Sequence, residues 1–545
     1  MIKIYIFCRH YLNTHKFRLV LFVSISMLAS IMNLVSPYIM GDFIDQLMDA
    51  ETMGFIYRYF AIFTVISISS IVLGYVGERL YVQLQTRMGY QLNSDYIQKL
   101  QHASLKFTDM QDTAYLNQRI NSDASSLISF CIGIIKGILI NAVTVMAVLG
   151  LMFLFHPVLA GVLTSISVVY FLLYVLFRKV LYQASLDLQE SWSKYFAKLN
   201  EQLFSIRYVK LHGLFKHFAG RLNKGFAGLF SSALQHQRVN YAFSSLDRLV
   251  SIMAQMTLLI FGGREILAGR LTIGQYIIVS SYFTMMIGAV RYFFNLGKSI
   301  QSSMVSYNRL RDLDAGASEP NGECRLDKIN SIELISISFA HDDKRVLTNI
   351  NQSFKHGHIY VVVGPNGVGK STLIDVLVGL QAGNYTGKVL YNGSEDIDMY
   401  DLRNRLMGIS EQEPALLADT IASNIVLDKP GLIEANESLF NRLVKITGLE
   451  SYISSLPKGL ETQINENAAN ISGGEKQKLS ILRVLLKDPD VIILDEPTSA
   501  LDATGKRALR VYLDEIKKDK IIIIVTHDSD FIDICQDKII QMTSQ

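Results

Sequence analysis

The chain changes character near residue 320. Before it, long apolar stretches alternate with polar segments; after it, short apolar runs alternate with stretches of helical spacing. The long stretches fall at about 17–40, 56–77, 134–155, 158–177, 246–267 and 273–294, each near the ~20 residues a helix needs to cross a bilayer. The polar segments after the second and fourth stretches keep helical spacing and hold few Gly or Pro. They read as spans continuing as helices beyond the membrane, each reversing through a short transverse element near 105–114 and 205–216. His156-Pro157 leaves only a very short turn between the third and fourth stretches. The predicted fold class is an all-α transmembrane domain of six helices over 1–313, a linker over 314–330, and an α/β domain with a mainly parallel sheet over 331–545.

Charge orients the spans. Lys3, Arg9, Lys16 and Arg18 flank the start of the first, whereas Asp42, Asp45, Asp49 and Glu51 follow it. Arg87, Lys99, Lys106 and Arg119 follow the second, and Arg178, Lys179, Lys194 and Lys210 the fourth. The positive-inside rule then places the N-terminus in the cytoplasm, and six spans place the C-terminal domain there too. A multi-pass protein of the cytoplasmic (inner) membrane is expected, in contact with membrane lipid.

Composition agrees. Half of the 545 residues are hydrophobic and 19% are charged, and the mean hydropathy is +0.25, too apolar for a soluble enzyme of this size. The net charge of +3 gives no case for nucleic acid. Cys8, Cys131, Cys324 and Cys535 are far apart and form no C-x-x-C, so neither a zinc site nor a disulfide framework is expected. The first apolar stretch is too long for a cleavable signal peptide and lacks a small-residue cleavage site.

Some polar or small residues interrupt the spans. Lys136 and Arg291 sit toward cytoplasmic ends, either snorkelling to the interface or forming a basic lip on an inward-facing cavity. Gly133 and Gly137 form a G-x-x-x-G pair that suits a close helix contact. Asn33, Ser36 and Pro37 predict a kink in the first span or a contact with cargo.

The chemistry lies in the second half. Gly364-Pro365-Asn366-Gly367-Val368-Gly369-Lys370-Ser371-Thr372 follows the apolar run Ile359–Val363 and precedes Leu373, Ile374, Val376 and Leu377. This is G-x-x-x-x-G-K-S/T between strand and helix, a phosphate-binding P-loop. Glycines let backbone N–H groups turn around a polyphosphate, and the helix aims its positive end at it. Lys370 is expected to reach the β/γ-phosphates and the Ser371 hydroxyl to bind Mg²⁺. Val491–Leu494 is an apolar strand ending in Asp495 and Glu496. Asp495 is placed to bind Mg²⁺, directly or through water, and Glu496 to polarise the attacking water.

Ile471-Ser472-Gly473-Gly474-Glu475, spaced correctly from Asp495-Glu496, resembles the Leu-Ser-Gly-Gly-Gln signature of ATP-binding cassette (ABC) proteins. The resemblance covers most of residues 330–545. Gln412 falls where the family's Q-loop glutamine sits, with Leu416-Leu417 and Thr420-Ile421 after it. Ser499-Ala500-Leu501-Asp502 matches the D-loop, and His527 the switch histidine. Leu456–Leu460 and Glu466 resemble the stretch that exporters place before the signature. In the membrane half, Thr113–Arg119 with Asp123, and Ala268–Gly274, resemble exporter segments. The chain is thus similar to a half-transporter of the ABC exporter type.

That resemblance implies ATP and Mg²⁺ as cofactors. It implies catalytic roles for Glu496, His527 and Gln412, and nucleotide contacts from Gly364, Asn366, Gly367, Gly369, Lys370, Ser371 and Thr372. Ser472, Gly473, Gly474 and Asp502 would act on the nucleotide held by the opposite subunit, and Ser371, Gln412 and Asp495 would serve the metal. Because Glu496 and His527 are both present, two copies could build two competent sites, so a homodimer is expected over a heterodimer. Departures are His341, where the family offers a Tyr to stack on adenine, with Phe339 nearby; Glu475 in place of Gln; and Glu466 between Asn465 and Asn467. The implied activity is ATP-driven export by alternating access. With no cysteine-protease domain before the first span, leader-cleaving peptide export is not expected. A small modified peptide or bacteriocin is the expected cargo, with a lipid or lipid-linked sugar flippase and a multidrug exporter as rivals. An ATP-gated regulator that does not pump is the alternative from another class.

Overall fold

The computed structural model describes residues 2–48, 53–109, 116–117, 119–314, 316–341, 344–528, 532 and 538–542. The motif residues Thr113, Ala114, Tyr115 and Gln118, the far end of the first transverse element, Asp49, Glu51 and Cys535 lie outside them. The chain forms two compact units: Met1–Gln98 with Asp112–Ala315, and Lys99–Gln111 with Gly316–Gln545.

The first unit is helical. Its elements are α1 (Ile2–Thr14), α2 (Lys16–Met48) and α3 (Gly54–Gln101), the last of which passes into the second unit. With α4 (Leu105–Asp109) assigned to that second unit, α5 (Ala124–Phe155), α6 (Pro157–Phe204), α7 (Ile206–His212), α8 (Phe215–Leu267) and α9 (Ile273–Asp314) complete the first. Among the described residues, six helices are long and apolar enough to cross a membrane. The expected continuation of spans beyond the bilayer is observed: α3 holds 48 residues, about 70 Å at 1.5 Å per residue, against a hydrocarbon core of ~30 Å.

Local chemistry sets the turns. His156 alone separates α5 from α6; its extended backbone and its Nδ1, accepting from Leu159 N at 3.3 Å, cap the new helix, and Pro157 occupies the first turn, where its missing N–H costs nothing. Between α7 and α8, Gly213 takes a left-handed φ of 62°. At the other end of the spans Asp45 staples α2 to the start of α9: its carboxylate accepts from Gly274 N at 2.7 Å and Thr272 Oγ1 at 2.5 Å. The helices meet there through Gly41 and Gly274, where a side chain on either would strike the other's backbone. Pro37 lies inside an unbroken α2, and one turn earlier the Tyr282 hydroxyl donates to Leu34 O at 2.9 Å.

The G-x-x-x-G expectation holds at one glycine only. A Cβ on Gly137 would collide with the Tyr292 ring, whereas Gly133 faces open space. Lys136 is settled locally, its Nζ 5.2 Å from the centre of the buried Phe22 ring.

The second unit carries two sheets. An antiparallel one runs β2 (Lys344–Lys355), β1 (Ser331–His341), β4 (Tyr385–Tyr391). A parallel one runs β5 (Met407–Ser410), β6 (Val491–Asp495), β7 (Ile521–Val525), β3 (His358–Val363), β8 (Lys538–Gln541). The central strands read as unbroken apolar runs because both faces are covered. Tyr360, Val362, Val491, Ile493, Ile521 and Ile523 point into one core. Their alternates Ile359, Val361, Ile492, Leu494, Ile522 and Ile524 point into the other, as the period of two requires.

The segment after the last span is tied down rather than slack. Ala317 O accepts from Ser104 N at 2.9 Å, His102 O accepts from Glu319 N at 2.8 Å, and the Glu319 carboxylate meets Arg403 at 2.7 Å. Gly316 lies against the Phe107 ring with no room for a side chain. The first transverse element, α4, thereby packs with the α/β unit.

Candidate nucleotide-binding site

The carboxyl edge of the parallel sheet gathers the chemistry. Val362 pairs with Val525, and Val525 with Asp495, so β3, β7 and β6 end side by side. Chain leaving those ends is free to face a ligand, the usual place for a site in an open α/β sheet. From β3 comes the loop 364–369, then α10 (Lys370–Leu377). Gly367 and Gly369 have φ of 78° and 100°, open to glycine and strained for other residues, and a Cβ on Gly369 would press on Val346 at 2.7 Å. Asn366 and Ser371 are exposed on this loop and first turn. Lys370 Nζ donates to Gly364 O at 2.8 Å and lies 2.7 Å from His527 Nε2. A neutral His527 therefore accepts there and carries its proton on Nδ1.

Glu496 follows β6 with φ of 50°. That conformation costs a non-glycine residue about 1–3 kcal/mol and persists only where neighbours over-determine it. Two do so: Glu496 N donates to Val525 O at 2.8 Å, and the Gln477 amide donates to Glu496 O at 2.7 Å. The side chain is left facing His527, Oε1 to Nε2 3.4 Å. Lys370, Glu496 and His527 thus converge.

Asp495 is half-buried beside them. Its carboxyl is raised above the ordinary carboxylate range, first by burial, then by Glu496 and Glu411, with Lys370 and His527 opposing. Gln412 is exposed two residues beyond β5. Ser371, Asp495 and Gln412 offer hard oxygen donors, and the carboxylates crowd negative charge that a divalent cation would relieve, so this set fits Mg²⁺.

His341 ends β1 and is exposed. With Phe339, Val346, Thr372 and Asp375 it lines a cavity of about 350 Å³ beside α4. Phe339 is buried in the core, which leaves His341 as the freer ring.

The signature segment starts α11 (Gly473–Lys487). Ser472 and Glu475 form a reciprocal capping box: Glu475 N donates to Ser472 Oγ at 3.3 Å, and Ser472 N to Glu475 Oε2 at 3.0 Å. Glu475 thus has a structural reason, the acid at N3 closing the box. Asp502 caps α12 (Ala503–Ile516), accepting from Gly505 N at 2.7 Å, and Glu466 opens a short turn, Glu466–Ala468. Among the described residues, no hydrogen bond joins Ser472–Glu475 or Asp502 to the 364–372 loop. Sequence reasoning missed Gln477, Glu411 and Asp375; a glutamine on the apolar face of α11 was the available signal for the first.

Two family models match. That of the ABC transporter transmembrane region covers residues 19–290, and that of the ABC transporter covers 347–499. The chain is an ABC transporter. It is 27% identical over 446 residues to a putative multidrug export ATP-binding/permease protein, YgaD, of Bacillus subtilis, covering 79% of this chain and 75% of that one. It is 25% identical over 464 residues to the ATP-dependent lipid A-core flippase of Syntrophus aciditrophicus, covering 84% and 75%. The structure of a bacterial Atm1-family ABC exporter with ATP bound superposes with a TM-score of 0.82 at 19% identity, over 97% of this chain and 94% of that one, and supports the fold. The transporter therefore joins an exporter-type membrane region to a cassette that binds ATP, and couples ATP hydrolysis to transport.

Proposed function

We propose that two copies of this transporter export an amphiphilic cargo from the cytoplasmic leaflet by alternating access. The convergence of Lys370, Glu496 and His527 at one sheet edge carries the reading. Backbone N–H groups of the 364–369 loop cradle the phosphates with Lys370, while His341 stacks on the base. Glu496 polarises the attacking water, and His527 contacts the γ-phosphate. Ser371, Asp495 and Gln412 would hold Mg²⁺, which would supply positive charge against the phosphates.

Ser472, Gly473, Gly474 and Asp502 act on the nucleotide of a second copy, which makes the working form a homodimer. Support comes from the second transverse element: Phe204, Ile206, Tyr208, Leu211 and Phe215 are all exposed around α7, a patch that a cytoplasmic tip leaves bare only if a partner covers it. The same orientation places the N-terminus and the cassette in the cytoplasm of an inner-membrane protein.

For the cargo, relatives named for multidrug export and for flipping lipid A-core favour amphiphiles. The capping box accounts for Glu475, a departure from the family pattern, without any cargo. The test is ATP hydrolysis in lipid nanodiscs against small peptides, amphipathic drugs and lipid-linked sugars, with Glu496→Gln as the blank. Stimulation by amphiphiles supports the proposal; a Glu496-dependent rate stimulated only by peptides overturns the cargo assignment.

A further inference from the structure

A cavity of about 900 Å³ in the membrane unit lies at the polar ends of three spans and is lined without a charged side chain. Ser122, Ser125, Ser126 and Ser129 come from one face of the helix leading into the third span, at the spacing that aligns side chains. Ser299, Ser302 and Ser303 face them from α9, and Gln85 closes the side from α3. Gln85 Nε2 donates to Ser129 Oγ at 2.7 Å, and Ser129 Oγ donates to Ser125 O at 2.7 Å. Ser303 is different: it is 6% exposed, lines the cavity, and makes no hydrogen bond among the described residues. Serine hydroxyls within helices often bond the carbonyl four residues back. An unpaired one directed into a cavity marks a place for a hydrogen-bonding ligand.

Nearby charges are engaged elsewhere. Asp123 accepts from Ser306 at 2.8 Å and faces Arg309 at 3.8 Å, and Arg119 faces Asp312 at 3.8 Å. Lys136 turns to the Phe22 ring. Across Phe130, which lines both, the polar cavity adjoins an apolar one of about 460 Å³, where Ile134, Ile135, Ile138 and Leu139 face Ile2 and Ile4 of α1. Head and tail sites therefore stand next to each other along one helix.

Resting on the export reading above, we propose that this paired cavity binds the cargo, an uncharged amphiphile whose hydroxyl-rich head sits among the serines while its chain lies along the isoleucines. A charged head would lose its water and meet no counter-charge, the costlier exchange. Neutral hydroxyls exchange water for serine partners that both donate and accept.

The probe is octyl glucoside carrying a diazirine in its chain, compared with the same chain ending in sulfate or trimethylammonium, on the full-length protein in nanodiscs. The glucoside is expected to label peptides spanning 122–139 and 299–303 and to be displaced by unlabelled octyl glucoside. Pairing Ser126→Ala with Ser302→Ala should lower that labelling about fivefold per hydrogen bond lost. Ser303→Asp should turn the preference toward trimethylammonium. Equal labelling by all three heads, or labelling indifferent to these substitutions, overturns the site. Glu496-dependent hydrolysis in the same sample reports separately on the export reading, so the two can fail independently.

Discussion

The side chain of Gln477 holds the backbone of Glu496. Its amide nitrogen donates to the Glu496 carbonyl at 2.7 Å, and its oxygen accepts from Ser499 Oγ at 2.7 Å. Gln477 is 4% exposed and belongs to the helix that begins at the signature segment. One side chain thus connects three motifs that lie apart in sequence.

If Gln477 fixes Glu496 in its left-handed backbone, Gln477→Leu should lower kcat roughly 10- to 100-fold, because small misplacements of a catalytic group are costly. ATP affinity should stay within twofold, since Gln477 does not reach the loop at 364–369. A kcat within twofold of the parent would remove the positioning role.

Lys370 is the cation nearest the P-loop carbonyls. Lys370→Ala should weaken ATP binding by about 1.5–3 kcal/mol, the worth of hydrogen bonds to a charged group, or roughly 10- to 150-fold in Kd. Equilibrium binding of a fluorescent ATP analogue reads this directly. An unchanged Kd would contradict the phosphate role.

At the base, His341→Ala should raise the Kd for ATP about fivefold, the low end of what a stacked ring contributes, and His341→Tyr should lower it. If both leave affinity unchanged, His341 does not stack.

Asp375 provides a pH test. Its carboxyl is pushed up to about 6, first by burial and then by Glu411, Asp109 and Asp495. An acid raised above its unfolded value binds more protons when folded, so stability falls as pH rises through the interval between the two, from about 4 to about 6. Asp375→Asn removes that loss. Thermal unfolding at pH 7 should show a gain of about 1 kcal/mol, after discounting for partial exposure, and the gain should vanish near pH 4. A pH-independent difference would place its origin elsewhere.

Much of this architecture was legible in the sequence because it rests on local patterns. The ~20-residue apolar stretches, the Gly-rich loop after Ile359–Val363 and the acids ending Val491–Leu494 each carry their own physical signal. The paired β3, β6 and β7 ends then follow from topology. What could not be read depends on contacts distant in sequence. Gln477 meets Glu496 only through the packing of α11 on β6. Gly137 differs from Gly133 only because Tyr292 lies against it. Glu475 departs from the family's glutamine because it closes a capping box with Ser472, which Ser-x-x-Glu signals. The serine cavity needs residues from three helices, and its stripes read alone as polar helix faces.

The most direct test of ATP-driven transport at this site is the hydrolysis rate of Glu496→Gln in nanodiscs, with ATP binding measured on the same preparation. Loss of a positioned general base lowers the rate roughly 10²-fold or more, and binding should be retained because Lys370 and the loop are untouched. A variant that binds ATP and hydrolyses it at a near-parental rate would contradict the account.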